Sequence, residues 1–349
     1  MRRSEKRRRV SPDLRAGVNA SPIRLPQADF ATVGEWFEQR FPSEGLAAFD
    51  RGDVLAGHGI EIGPDYPYTP GERLWIFRPI LDEPSEPIVL RIVAENERYV
   101  VVDKPHLMAS VPKGSHVAHT ALVAARRQLG NDLLVAAHRL DLETAGLLLL
   151  IKDPQWRGAY QKLFEGRRIT KTYEALAPLI QGAHVGQEWD SDLRLRKVEG
   201  EMSVEVLRNG DDPSEGEEAS FVGETGSNDV TPGPADFYYG EHRRARVRVA
   251  PHVVTHIVLS ERVAPNVGKY TLYPHTGFTH QLRVAMNELG APILGDPTYP
   301  RIMTLEEVAQ RPYPLQLVAR TLEFVDPVTH ETVHLESREG FEQAIELGL

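Results

Sequence analysis

The chain has 349 residues, 41% hydrophobic and 26% charged, with 40 Lys and Arg against 50 Asp and Glu and a formal charge of −10. That balance excludes a disordered polymer and, at this length, predicts a large α/β core with an appended module. The absence of Cys excludes disulfides, thiolate nucleophiles and Cys-ligated zinc.

Residues 1–29 carry Arg7, Arg8 and Arg9 but no sustained apolar period, and read as a basic flexible arm with no secretory signal. Val33, Trp36, Phe37 and Phe41 then fall at helical spacing after Thr32, and Pro42 marks the stop. Short strands are expected around Val54, over Ile60–Ile62 and over Leu74–Phe77, followed by a linker from Asp82 to Pro87. Tyr99–Asp103 reads as a buried strand ending at Lys104-Pro105. Thr120–Leu129 places Leu122, Ala125 and Leu129 on one stripe and ends at Gly130, as a helix does. Leu147–Ile151 is a second buried strand, and as the longest apolar run it is too short to span a bilayer. Asp153-Pro154 caps a helix whose Trp156, Tyr160, Leu163 and Phe164 share a face and which stops at Gly166. Thr172–Ala177 and His252–Ser260 complete the predicted strands.

Charge is unevenly distributed. Residues 209–241 hold nine carboxylates, many Gly, Ser and Pro, and no Lys or Arg, which predicts a mobile acidic insertion. Basic clusters stand apart from it: Arg167-Arg168 with Lys171, Arg194 with Arg196 and Lys197, and Arg243-Arg244 with Arg246 and Arg248. Each is either a solvated face or part of a polyanion-binding surface.

Two polar constellations interrupt the apolar pattern. His138-Arg139-Leu140-Asp141-Leu142-Glu143-Thr144-Ala145-Gly146 abuts the Leu147 strand, where ionisable groups cost desolvation unless they pair or serve a site. Spacing alone leaves two readings open: a turn network in which Asp141 and Thr144 bond backbone amides, or a catalytic carboxylate. The second constellation is Gly277-Phe278-Thr279-His280-Gln281-Leu282-Arg283. Thr279 is the expected helix cap, Leu282, Ala285, Met286 and Leu289 the buried stripe, and His280, Arg283 and Asn287 the opposite face. A guanidinium from this helix could orient a carboxylate and complement its charge, as nucleophilic catalysis needs, and Asp141 is the candidate partner.

From about residue 93 to 345, these segments resemble the RluA-like pseudouridine synthases in sequence order. The matching segments are Val100–Pro105, the His138–Gly146 signature, Lys171-Thr172-Tyr173, Gly277–Arg283 and Leu289–Asp296. The resemblance implies an α+β fold, with a mixed, mainly antiparallel sheet in a catalytic domain of the pseudouridine synthase type over 93–349. A small αL-type RNA-binding-like module over 30–92 would precede it, carried more faintly by Phe49–Val54 and Pro70–Leu74. It further implies that Asp141 is the essential carboxylate, that Tyr173 stacks on the uracil, and that Arg283 pairs with Asp141. Arg139 would be the wedge that replaces an extruded base, with His138, Thr144, Thr279, His280 and Gln281 as pocket walls or supports. The implied reaction needs no cofactor and no metal, and its partner is structured RNA, ribosomal or transfer, with no membrane and no obligate protein partner. A cytoplasmic location is expected.

Three positions depart from the family pattern: Ala145 stands for Ser, Phe278 for Arg, and Ala285 for a frequent His. They motivate an alternative, an RNA-binding protein on a catalytically impaired synthase scaffold. A nucleoside hydrolase is a third class, distinguished by activity on free uridine. His116 and His119 lack a third ligand at a recognisable spacing, so no metal site is expected there.

Overall fold

The computed structural model describes residues 12–42, 44–57, 59–80, 88–113, 116–208 and 247–341. The acidic insertion, the Asp82–Pro87 linker, the first eleven residues and Arg243, Arg244 and Arg246 lie outside the described residues. The chain forms two compact units, one drawn from Met1–Ile88 and Pro112–Asp132, the other from Val89–Val111, Leu133–Thr225 and Arg243–Leu349.

The first unit comprises β1 (Ser21–Arg24), α1 (Val33–Arg40), α2 (Ala47–Asp50), β2 (Val54–Ala56), β3 (Ile60–Glu61), β4 (Arg73–Ile76) and α3 (Ala121–Leu129). Its sheet runs β1-β4-β2-β3 with antiparallel pairs. Helix α1 starts where the sequence predicts, because the Thr32 side chain accepts from Glu35 N, the Tyr66 and Pro64 carbonyls accept from Val33 N and Gly34 N, and the Glu35 carboxylate reaches back to Ala31 N. Its buried Val33, Trp36 and Phe37 pack with Phe41, Phe49, Leu74 and Ile76 into one core. The expectation of a loose arm through residue 29 is corrected from residue 12 onward. Ser21–Arg24 pairs with β4, Leu25 is buried, and Arg15 lies over the Phe77 ring while bridging to Asp53 at 3.1 Å. These contacts are long-range, so local polarity gave no sign of them.

The second unit comprises β5 (Arg91–Glu95), β6 (Tyr99–Lys104), β7 (Val135–Ala136), β8 (Ala145–Ile151), α4 (Pro154–Glu165), β9 (Ile169–Pro178), β10 (Glu188–Val198), β11 (Glu205–Val206), β12 (Val247–Ala264), β13 (Val267–Pro274), α5 (Gln281–Glu288), α6 (Leu305–Ala309), β14 (Leu317–Val325) and β15 (Thr332–Glu336). Eleven strands form one sheet in the order β11-β10-β12-β13-β9-β14-β8-β6-β5, with β15 added on β14 and β7 on β8. Every pair is antiparallel except β14 with β8. The fold is therefore the mixed, mainly antiparallel α+β class expected from the sequence.

Strand β8 is buried along its whole length because both of its faces are covered, which is why Leu147–Ile151 reads as an unbroken apolar run. Leu147, Leu149 and Ile151 pack under Tyr160 and Leu163 of α4. That helix begins with Asp153 capping Gln155 N and Pro154 in the first turn, and ends at Gly166. A second core joins Ala175, Ile257, Tyr270 and Leu272 of the sheet to Leu282, Ala285 and Met286 of α5. Between these two cores, β9, β14 and β8 lie side by side; one polar constellation leads into β8 and the other joins β13 to α5.

Candidate active site

Asp141 lies in the loop between β7 and β8, and this loop is tied down from behind along its length. Leu140 N donates to Ser110 Oγ at 2.9 Å, and Ser110 Oγ returns a bond to Leu140 O at 2.8 Å. The Leu142 carbonyl accepts from Lys104 Nζ at 3.2 Å, and Glu143 O lies 2.8 Å from His106 Nδ1. The Glu143 carboxylate is held by both terminal nitrogens of Arg311, at 2.9 and 3.2 Å, and accepts from Leu315 N at 3.3 Å. Thr144 N closes the turn on Asp141 O at 3.2 Å. With the backbone fixed this way, the Asp141 side chain is left 35% exposed, facing the pocket. A reactive group supported by a fixed surrounding shell is the arrangement catalysis requires.

Gly146 closes the signature because the parallel pairing of β8 with β14 brings Ala319 against it. It takes φ +107, and a Cβ there would collide with the Ala319 carbonyl.

Helix α5 supplies the opposite wall. Arg283 is buried, and its Nε and Nη2 grip the two oxygens of Asp296 at 2.7 and 2.6 Å, with Thr298 Oγ1 2.8 Å from Nη2. Its remaining nitrogen, Nη1, lies 3.6 Å from Asp141 Oδ2. Burial works against the guanidinium charge, but hydrogen bonds and charge from Asp296, with a further contribution from Asp141, outweigh it and raise the Arg283 pKa. Asp296 Oδ1 also accepts from Thr298 N and Tyr299 N, so the carboxylate that holds Arg283 is itself held. Gly295, at φ +73, allows this turn to pass against Pro314, where a Cβ would meet the carbonyl. Arg311 bonds Gly295 O at 2.5 Å as well as Glu143, joining the Asp141 loop to the Asp296 turn.

The pocket is lined by Arg139, Asp141, Thr144, Lys171, Tyr173, Phe278, His280, Gln281, Arg283 and Leu317 among others, and among the described residues Asp141 is the only carboxylate in that lining. Tyr173 on β9 is partly buried against the α5 core, and burial, followed by the Asp141 charge, raises its phenol pKa. His280 lies 3.9 Å from Asp141 Oδ2 with Nδ1 3.2 Å from Tyr299 Oη. Burial and then Arg283 push its pKa down to about 4, so its imidazole is neutral at pH 7. Arg139 is exposed at the rim, and Thr144 is buried in the wall.

Gln281 acts as a clamp. Its Nε2 donates to Val254 O and Thr255 Oγ1 at 3.0 and 2.9 Å, and its Oε1 accepts from Thr276 Oγ1 and Phe278 N at 3.0 and 3.2 Å. The expected cap at Thr279 is corrected by this geometry. The N-cap is His280 in the left-handed conformation, at φ 53 and ψ 15. The Gln281 carboxamide draws the preceding turn onto β12 and takes the Phe278 N–H, leaving Thr279 outside both the cap and the pocket lining.

His138 also stands apart from the lining. Its ring stacks on Phe164 at 4.5 Å, and Nε2 accepts from Leu149 N at 3.1 Å. Burial and Lys171 push its pKa down to about 3, so the ring is a neutral acceptor between β8 and α4.

Of the three departures, Ala145 is fully buried in β8 and Ala285 lies in the α5 core; Phe278 alone reaches the pocket. Among the described residues no cluster of three or more His, Cys, Asp or Glu is placed to hold a metal, and His116 and His119 make none.

Sequence reasoning missed Asp296, Arg311 and Glu143 as members of the site, and Lys104 as a support for it. Asp296 closes a segment that the family comparison had already picked out, and Thr298 two residues on is the signal of an aspartate that accepts from following amides. Lys104 is fully buried with its ammonium on the carbonyls of Pro105, Met108 and Leu142. Burial pulls its pKa down to about 7, while Asp141, Glu339 and Glu143 act in the opposite direction.

The chain is similar to known proteins. Residues 98–288 match the family described as RNA pseudouridylate synthase. An uncharacterized RNA pseudouridine synthase of Haemophilus influenzae is 29% identical over 60% of this chain and 73% of its own. The dual-specificity RNA pseudouridine synthase RluA of Vibrio parahaemolyticus is 28% identical over 68% of this chain and 79% of its own. The ribosomal large subunit pseudouridine synthase D of Pseudomonas aeruginosa is 26% identical over 72% and 69% respectively. The matched span contains both walls of the pocket, Asp141 on one and Arg283 on the other, and the chain belongs to the RNA pseudouridylate synthase family.

Proposed function

We propose that this chain isomerises uridine to pseudouridine in RNA, with Asp141 as the carboxylate that opens the glycosidic bond. The observation that carries the reading is the single lining carboxylate set 3.6 Å from a guanidinium that is itself locked by a second, buried carboxylate. Because Asp296 already takes two edges of Arg283, the cation can orient Asp141 without collapsing onto it in a bidentate pair.

Two routes suit this carboxylate: attack at the ribose anomeric carbon, or removal of the neighbouring ribose proton. In both, the C1′–N1 bond breaks with its electron pair on uracil, the base turns, and C5 bonds to C1′; in the first route C5 displaces the carboxylate from C1′, and in the second the carboxylic acid returns its proton to C2′. The proton displaced from C5 is balanced by the one gained at N1, so no oxidant or reductant is consumed. With its phenol pKa raised, Tyr173 enters the reaction neutral. Its ring can stack on the uracil, and its hydroxyl can relay the C5 proton rather than stand ready as a phenolate. Arg139, exposed at the rim, is positioned to fill the gap left by an extruded base. Ribosomal or transfer RNA in the cytoplasm is the proposed substrate, supported by the ribosomal large subunit synthase among the relatives.

The test uses RNA transcribed with uridine tritiated at carbon 5, from which isomerisation releases tritium to water. The purified protein is expected to release it, and Asp141→Asn to slow release by at least about a thousandfold. An Asp141→Asn variant that keeps the wild-type rate would remove the basis of the assignment.

A further inference from the structure

Phe278 lines the pocket, and the structure shows what lies beside it. The Arg248 guanidinium of β12 sits over the Phe278 ring at 5.4 Å, a cation–π contact at the mouth of the pocket. Arg248 pairs in register with Lys197 of β10, and directly opposed residues of an antiparallel pair project from the same face. Two residues back along β10 and two forward along β12, Leu195 and Ala250 form the adjacent rung on that face and pack with Phe278, Val284 and Tyr299. The apolar rung thus supports the pocket wall, and the next rung outward is a pair of cations.

Like charges directly opposed on a ladder are unfavourable. Lys197 is held in place by the carbonyls of Glu201 and Ser203, and it lies close enough to His280 to disfavour that ring's protonation. Arg248 is exposed and has no ion-pair partner among the described residues. Arg248 can therefore offer its donors to an anion beside the ring.

We propose that Arg248, steered by Phe278 and facing Lys197, forms a phosphate subsite for the RNA backbone beside the target nucleotide. The proposal rests on the reading of the chain as an RNA-modifying enzyme. The Phe278 ring, part of the pocket lining, sets the position of the guanidinium that reaches it from β12. A guanidinium suits the task because it offers planar paired donors to a phosphate while its face remains on the ring.

The test measures equilibrium binding of a transcribed, pseudouridine-free pool of ribosomal and transfer RNAs over about 50 to 200 mM salt, together with tritium release on the same pool. Arg248→Gln is expected to weaken binding about three- to tenfold and to reduce the slope of log affinity against log salt by about 0.7, the share of one phosphate contact. Arg248→Lys should keep the slope, and Arg248→Gln with Phe278→Arg should regain it. Wild-type affinity and slope in Arg248→Gln would overturn the subsite. If the wild type isomerises uridine while Arg248→Gln binds unchanged, the subsite alone fails. If Arg248→Gln loses the contact but the wild type releases no tritium, the subsite stands and the isomerase reading fails. Absence of RNA binding by the wild type would overturn both.

Discussion

Asp141 and Asp296 share one arginine, and replacing each with Asn should lower activity in both cases but stability in only one. Asp296 is fully buried, with both oxygens on Arg283 at 2.6 and 2.7 Å. Asp296→Asn keeps the shape but leaves the guanidinium buried without its counter-charge, and breaking such a pair costs about 3–5 kcal/mol. The amide oxygen can still accept one bond and Thr298 Oγ1 remains, which places the cost near the lower end, about 3 kcal/mol. For a domain of this size that lowers Tm by about 6–12 °C at roughly 2–4 °C per kcal/mol. Activity should fall as well, because Arg283 is freed to move toward Asp141, and a displacement of about 1 Å can cost on the order of a hundredfold. Asp141→Asn removes a carboxylate that is 35% exposed and 3.6 Å from its partner, a pair worth at most about 1 kcal/mol, so stability should barely change while turnover is lost. Calorimetry and tritium release on both variants make the comparison. An Asp296→Asn protein with wild-type Tm and kcat would refute the claim that this carboxylate holds the site together.

Arg311→Met should lower the urea-derived stability by about 3 kcal/mol, by stranding the buried Glu143 carboxylate. It should also reduce kcat at least about tenfold, because it releases the tie between the Asp141 loop and the Asp296 turn. His138 sets a pH dependence. Its folded pKa, pushed down to about 3, lies below the ordinary value of 6.5, so its contribution is complete above pH 6.5 and is lost as pH falls toward 3. Urea midpoints measured through that window should decline less steeply for His138→Gln, and an identical decline would mean that the ring is not held neutral. Ala145→Ser, which restores the family residue at a fully buried position, should leave kcat within about twofold and lower stability by about 1 kcal/mol in thermal melts.

The elements that were legible in the sequence are those whose causes are local. Asp153 with Pro154 and Gly166 bracket α4, Thr120 and Gly130 bracket α3, and the run Leu147–Ile151 is apolar because both faces of β8 are covered. The long β10–β12 pairing was only half read. His252–Ser260 was expected as a strand, yet β12 extends over Val247–Ala264, and its partner Glu188–Val198 alternates Trp189, Leu193 and Leu195 with charged residues that obscure a short apolar signal. In the site, Asp141, Tyr173 and Arg283 were picked out only through their order along the chain, since spacing alone favoured reading Asp141 as a turn residue. Asp296 and Arg311 escaped because their meaning lies in contacts, 13 residues away to Arg283 and 168 to Glu143, that no window of sequence contains. Thr279 failed as a cap for the same reason: the decisive bonds run from Gln281 to Val254 and Thr255.

The most direct test of the central claim is a map of pseudouridines in total RNA from cells with this gene, without it, and complemented by either the wild type or Asp141→Asn. At least one position should lose pseudouridine on deletion and regain it with the wild type but not with Asp141→Asn. A position restored by Asp141→Asn, or a map that deletion leaves unchanged, would contradict the account.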